Sequence, residues 1–500
     1  MSRKRVARNA AFSVTQVLLS AAALILTYRI LMQSLQIEEI GLWSLIVGSA
    51  AVARLSEMGL GAGVLRFVAG DHGAGRLDRA ARTVGMACIG AAAMVGVLAL
   101  IVQPLLLHYL LRWTPEPLHY AVQALLPAAL CSVVLTTIAG VFLNAIDGCQ
   151  RMDIRAKLQV GSSLVQLGMT ALLLPRLGLA GLGWVQLAQA GLLLIGAAIC
   201  LMVLMRQPLR SYFGFEGPRL KELFLYGGGL QISGIAQLLF EPLVKVFLTA
   251  YSGLALTGYF DMANRIVLQF RSVIVAAYMA VVPHVAARGS DLSIDQSREI
   301  YRESSNLLLF VLLPYFACIA AGMPLALVLW KGQYDALFLA VAMLQLGAWW
   351  LNSLGVPSYL LNVGLGRLCW NILSHVAIGM ITLTLGLLLG ELFGGWGVLV
   401  AGAIALAAGS LVVPVAFHRE FRQPLLELMP RRNLPALLLF LIAMAGATAI
   451  AELGRSPGWV ILISFPAAVS LIAMVLMWSD PLRKQLFIQL GMAKPVQDRP

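Results

Sequence analysis

Apolar runs of about 20 residues recur from one end of this chain to the other, and the polar stretches between them are too short for a sizeable soluble domain. A helix of that length, rising 1.5 Å per residue, crosses the hydrocarbon core of a bilayer. Sixty per cent of the 500 residues are apolar and 12% are charged, with a mean hydropathy of +0.86. That is more apolar surface than one or two soluble cores require. The sequence therefore reads as an all-α integral membrane protein.

Charged residues and Gly/Pro punctuation divide the runs into fourteen spans, at about 10–34, 40–64, 83–107, 119–145, 157–176, 181–205, 222–250, 256–283, 304–330, 335–363, 368–391, 395–417, 435–453 and 458–478. Lys and Arg in cytoplasmic loops orient a polytopic protein. With the N-terminus inside, the inner segments hold 27 of the 36 bases, the outer segments hold Arg112, Arg176, Lys331 and Arg455, and five lie within spans. This asymmetry predicts both termini in the cytoplasm. It also accounts for a net charge of +13 without nucleic acid as a partner. The basic start "MSRKRVARNAAF" reads as the flank of span 1 rather than a cleaved signal.

The six cysteines form no CxxC pair and lie mostly in or beside spans, so neither disulfides nor a metal site are expected. His375, inside span 11, reads as a packed or hydrogen-bonded residue. The short loops carry no phosphate cradle, no nucleophile elbow and no carboxylate constellation suited to catalysis. No catalytic residue, enzyme activity or resident cofactor is expected.

Sliding the sequence against itself by 217 to 218 residues aligns Gly41 with Gly258, Arg54 with Arg271, Trp113 with Trp330 and "LNAIDG" (143–148) with "LNVGLG" (361–366). A repeat of six spans keeps the same orientation in both copies, as in transporters whose halves are related by an axis along the membrane normal. The expected architecture is two parallel six-helix repeats around a central cavity plus two C-terminal helices. The expected domains are an N-terminal lobe over 1–221, a C-terminal lobe over 222–418, and a connecting loop, helices 13–14 and cytoplasmic tail over 419–500.

Charges within spans are the candidate functional residues, because each costs about 2.5–3.5 kcal/mol at the centre of a helix on insertion scales. The bases are Arg29, Arg54, Lys245, Arg265 and Arg271; the acids are Glu57, Glu241 and Asp261. Glu241–Lys245 and Asp261–Arg265 are spaced i,i+4, and Arg54–Glu57 i,i+3, so these bases have local partners available. Arg29 and Arg271 have no acid at that spacing. Arg54 and Arg271 fall near mid-span, whereas Arg29 and Lys245 lie near outer ends, where snorkelling is an alternative. In "QLLFEPLVKVFLTA" (237–250), Pro242 frees a backbone carbonyl one turn earlier and is expected to act as a hinge. Excess positive charge in a desolvated cavity suits an anionic substrate.

Asn9 through "GLWSL" (41–45), "LSEMGLGAGVLRFVAG" (55–70) and the "LNAIDGCQRMDI" loop (143–154) resemble the Wzx-type polysaccharide flippases of the multidrug/oligosaccharidyl-lipid/polysaccharide (MOP) exporter superfamily. The resemblance covers spans 1 to 12 in layout. It implies a multi-pass bacterial inner-membrane protein that moves undecaprenyl-diphosphate-linked oligosaccharide to the periplasmic leaflet by alternating access, for O-antigen, capsule or exopolysaccharide synthesis. It further implies a cationic lumen, for which the in-span bases Arg271, Arg54, Arg29, Lys245 and Arg265 are the candidates, with membrane lipids and the polysaccharide polymerase machinery as partners. Glu241, Glu57 and Asp261 are then residues for charge pairing or for coupling to H⁺ or Na⁺. A lipid II flippase and an ion-coupled multidrug exporter are the alternative readings within the superfamily.

Overall fold

The computed structural model describes residues 3–57, 59–278, 294–331, 335–365, 368–421, 423–452, 458–480 and 482. All regular structure among them is helical. Ten stretches among the described residues are long and apolar enough to cross a membrane, and three of these, Met152–Met205, Phe240–Val275 and Cys369–Glu420, are each divided by a break into parts of two spans. Span 2 completes the expected fourteen. It runs as two short helices, Ile37–Ala50 and Leu60–Gly73, separated by a 3₁₀ segment over Ala51–Glu57.

A single glycine turns the chain at each double stretch. Gly178, Gly253 and Gly394 have φ of 56°, 78° and 60° with ψ of −146°, −174° and −146°, a region that only glycine occupies readily. The reversal is visible in contacts eight residues apart, which on a straight helix would be separated by roughly 12 Å. The Thr249 and Thr257 hydroxyls meet at 2.9 Å across Gly253. A Cβ on Gly181 would lie 3.2 Å from the Leu173 carbonyl oxygen, and one on Gly397 would lie 1.8 Å from that of Leu389. These last two turns occupy equivalent places in the internal repeat and pack alike.

Two compact units emerge. One comprises Ala11–Met262 with Gly379–Gly402, and the other Met1–Ala10, Ala263–Ile378 and Ala403–Pro500. They are called here the N-terminal and C-terminal units. The N-terminal unit thus combines spans 1–7 and the start of span 8 with the Gly394 hairpin tip of spans 11–12. One of its apolar cores gathers Leu60, Val64, Val84, Ile146, Leu201 and Leu223, from spans 2, 3, 4, 6 and 7. In the C-terminal unit, Phe316, Phe440 and Trp350 interlock, with centroids 6.5 Å apart for Phe316–Phe440 and 4.8 Å for Trp350–Phe440. That packing ties spans 9, 10 and 13 together.

Within the N-terminal unit, span 2 crosses the start of span 8 at the two glycines that the repeat had paired. A Cβ on Gly41 would meet the Leu254 carbonyl oxygen at 1.9 Å, and one on Gly258 would meet that of Ile37 at 2.6 Å. Residues 37 and 254 are repeat mates at the same offset as 41 and 258, so the crossing obeys the pseudo-two-fold relation. Without a hydrophobic drive between helices in lipid, close backbone approach through small residues supplies the packing. Gly41→Ala should therefore cost about 1–3 kcal/mol, the usual penalty of overpacking, and lower the thermal midpoint of the purified protein. Gly96→Ala, where a Cβ meets nothing within 4 Å, should leave the midpoint unchanged.

Candidate functional site

Lys245 does not snorkel. Its side chain is 1% exposed, and its ammonium lies 2.6 Å from the Glu241 carboxylate one turn back and 2.7 Å from Asp261 on the next span. It also donates to the Ser44 carbonyl oxygen of span 2 at 3.5 Å. Gly48 makes room for this: a Cβ there would lie 3.1 Å from the lysine Cδ. The second oxygen of Asp261, a residue 0% exposed, accepts a hydrogen bond from the Tyr28 hydroxyl at 2.5 Å. One cation thus joins spans 1, 2, 7 and 8 within the N-terminal unit, between the fully buried Asp261 and Glu241, which is 37% exposed at its side chain.

Asp261, which the sequence spacing offered to Arg265, makes an ion pair between helices, with Lys245. The Gly253 reversal brings the two spans side by side and makes that possible. Arg265 itself is half-buried and falls in the C-terminal unit. The helix keeps helical backbone angles at Pro242, and the break comes at Gly253.

Arg54 sits on the 3₁₀ segment that interrupts span 2, not on a regular helix, and its guanidinium donates to the Thr136 hydroxyl at 2.9 Å. The turn that follows includes Gly59 in the left-handed region, φ 64°. Such an interruption leaves backbone groups without intrahelical partners, which membrane proteins tolerate where the backbone is buried in protein or lines a cavity. The side chain of Glu57 lies outside the described residues. Arg29 is exposed, and no described acid pairs with it.

In the C-terminal unit, the Arg271 guanidinium lies over the Trp349 ring, 5.0 Å from its centroid. Its Nε is buried without a hydrogen-bond partner, and no described acid pairs with it. Trp349 is held in turn, since its indole N–H donates to the Asn264 side-chain oxygen at 2.8 Å. Tyr359 and His375 are within electrostatic reach of the guanidinium. Their side chains approach at 3.4 Å, and Asn371 fixes the backbone of Tyr359 through a 3.1 Å bond to its carbonyl oxygen. Arg271 is therefore positioned by an aromatic face, and its charge is unneutralised among the described residues. Local spacing could not reveal Tyr28, Thr136, Trp349 or Asn264; the adjacent Trp349 and Trp350 in the middle of a span were the visible hint.

Residues 6–287 match the family described as polysaccharide biosynthesis protein. The chain belongs to that family. Three solved structures share its fold. A multidrug-resistance MATE transporter of the MOP superfamily, inward-facing, aligns with a TM-score of 0.65 at 15% identity over 83% of this chain and 98% of its own. The lipid II flippase MurJ in an inward closed conformation aligns with 0.64 at 13% identity, over 96% and 99%. A MOP superfamily transporter from Pyrococcus furiosus aligns with 0.55 at 13% identity, over 84% and 99%. No curated protein sequence matches the chain. The chain is thus a polysaccharide biosynthesis family member with the fold of these MOP superfamily proteins, and its long apolar helices make it a multi-pass membrane protein.

For a member of this family the Lys245 cluster has a measurable consequence. Lys245→Met strands two carboxylates, one of them fully buried, and should cost about 3–5 kcal/mol, as removal of one partner of a buried pair does. Adding Asp261→Asn should restore most of the thermal midpoint in detergent. A double variant less stable than Lys245→Met alone would contradict the pairing.

Proposed function

We propose that this protein is a flippase that moves undecaprenyl-diphosphate-linked oligosaccharide from the cytoplasmic to the periplasmic leaflet of the bacterial inner membrane, for surface polysaccharide synthesis. The observation that carries this reading is Arg271. An arginine in a membrane span that is stacked on an aromatic ring, has a buried Nε without a hydrogen-bond partner and has no acid beside it among the described residues suits the reception of an anion. A guanidinium matches phosphate oxygens bidentately. Arg54, the repeat mate of Arg271 in sequence, is a second cation within the spans, placed on the interrupted part of span 2. Family membership supplies the glycan, and the diphosphate supplies the charge. The weight of Lys and Arg in alternate loops supports cytoplasmic termini, and so entry of cargo from the side where lipid-linked sugars are assembled.

Two parallel repeats suit alternating access. The Lys245 cluster gathers spans 1, 2, 7 and 8 near the ends that the charge distribution assigns to the periplasm, so outward release requires those four spans to separate there. Glu241 can keep Lys245 as a partner on its own helix while Asp261 moves away with span 8. The hinge role of Pro242 belongs to the same motion.

The test is complementation of a surface-polysaccharide export defect, with membrane insertion checked by immunoblot. A hydrogen bond to a charged group contributes about 1.5–3 kcal/mol, so Arg271→Ala and Arg54→Ala should each lower flux by about 10- to 150-fold at normal protein levels. Wild-type flux in both variants would remove the cationic-site mechanism.

A further inference from the structure

A cavity of about 230 Å³ opens in the C-terminal unit where the start of span 9, the end of span 12 and the connection to span 13 meet. Its wall is tied together by His418, which is buried. The Pro424 carbonyl can only accept, so in the neutral ring Nδ1 carries the proton and donates to it at 3.0 Å. Nε2 then accepts from the Tyr301 hydroxyl at 3.1 Å. Tyr301 packs on Phe417, which packs on Phe421, with ring centroids 5.1 and 4.7 Å apart. Arg298 closes the arrangement by donating to the Phe421 carbonyl oxygen.

Onto this fixed wall two arginines converge from separate elements, Arg302 from the helix of span 9 and Arg432 from the 3₁₀ turn Arg431–Asn433. Ser305 and Gln423 add neutral polar groups, and Glu427 is the one acid in the lining among the described residues. The cavity is smaller than the roughly 300–1,000 Å³ of pockets that enclose a drug-sized ligand, which suits a headgroup rather than an oligosaccharide. It lies at the ends of spans, beside an aromatic cluster, on the face that the basic loops assign to the cytoplasm. Basic pockets between helices at that depth are where anionic headgroups bind.

We infer that this pocket binds the phosphate of an anionic phospholipid headgroup, gripped between Arg302 and Arg432. None of its residues serves the transport reading, so the two stand or fall separately.

The full-length protein in phosphatidylcholine nanodiscs is heated with phosphatidylglycerol added or, in a second arm, with inorganic phosphate. Phosphatidylglycerol should raise the thermal midpoint saturably. The apparent affinity should fall about 30-fold in Arg302→Gln/Arg432→Gln, the factor that two arginines near a headgroup supply, and by a smaller factor in each single variant if the double variant does not fold. Arg431→Gln, beside the pocket but outside its lining, should bind as the wild type does. Equal affinity in wild type and the arginine variants would overturn the site, as would an equal loss in Arg431→Gln. Saturation by inorganic phosphate alone, with no further effect of lipid, would overturn the lipid as its source.

Discussion

A charge within the hydrocarbon layer has to be paired or put to use. Lys245 is paired: two carboxylates, a backbone carbonyl and, through Asp261, a tyrosine hydroxyl surround it. Arg271 is held by Trp349 and left without an acid among the described residues, and anion binding is the use proposed for it. The first arrangement fastens four spans to one another. The second keeps a charge ready, and the cost of keeping it there is what makes an anionic cargo the natural partner. Arg54 stands between these cases, with a hydroxyl contact to span 4 and a place on an interrupted helix.

The duplication explains why the helices can close against one another at all. Gly41 and Gly258 are repeat mates, and each admits the backbone of the other copy's helix, Leu254 in one case and Ile37 in the other. The Gly178 and Gly394 hairpins repeat one another down to the neighbours that a Cβ would strike, Leu173 and Leu177 in the first, Leu389 and Phe393 in the second. Backbone approach this close leaves room only for glycine, which is why glycines are among the positions at which the repeat is visible.

The fourteen spans were legible because span length is fixed by bilayer thickness and needs no tertiary information. The Glu241–Lys245 pair was legible because it closes within one helical turn. The partner of greater consequence, Asp261, was hidden. Spacing offered it Arg265 on its own helix, and only the reversal at Gly253 carries it to Lys245. The break in span 2 was hidden too, since "AVARLSE" has no strong helix breaker and Gly59 alone marks the turn. Arg271 could be identified as lacking a local acid, but its stacking on Trp349 joins residues far apart in the chain.

The central claim is that fixed positive charge within the spans receives the diphosphate of a lipid-linked glycan. The most direct measurement compares two cargoes in proteoliposomes of the purified protein: a fluorescent oligosaccharide on a polyprenyl diphosphate, and the same oligosaccharide on a neutral polyprenyl ether. The account predicts rapid protein-dependent translocation of the diphosphate and little of the ether. Equal rates for both would show that the arginines do not select the cargo and would contradict it.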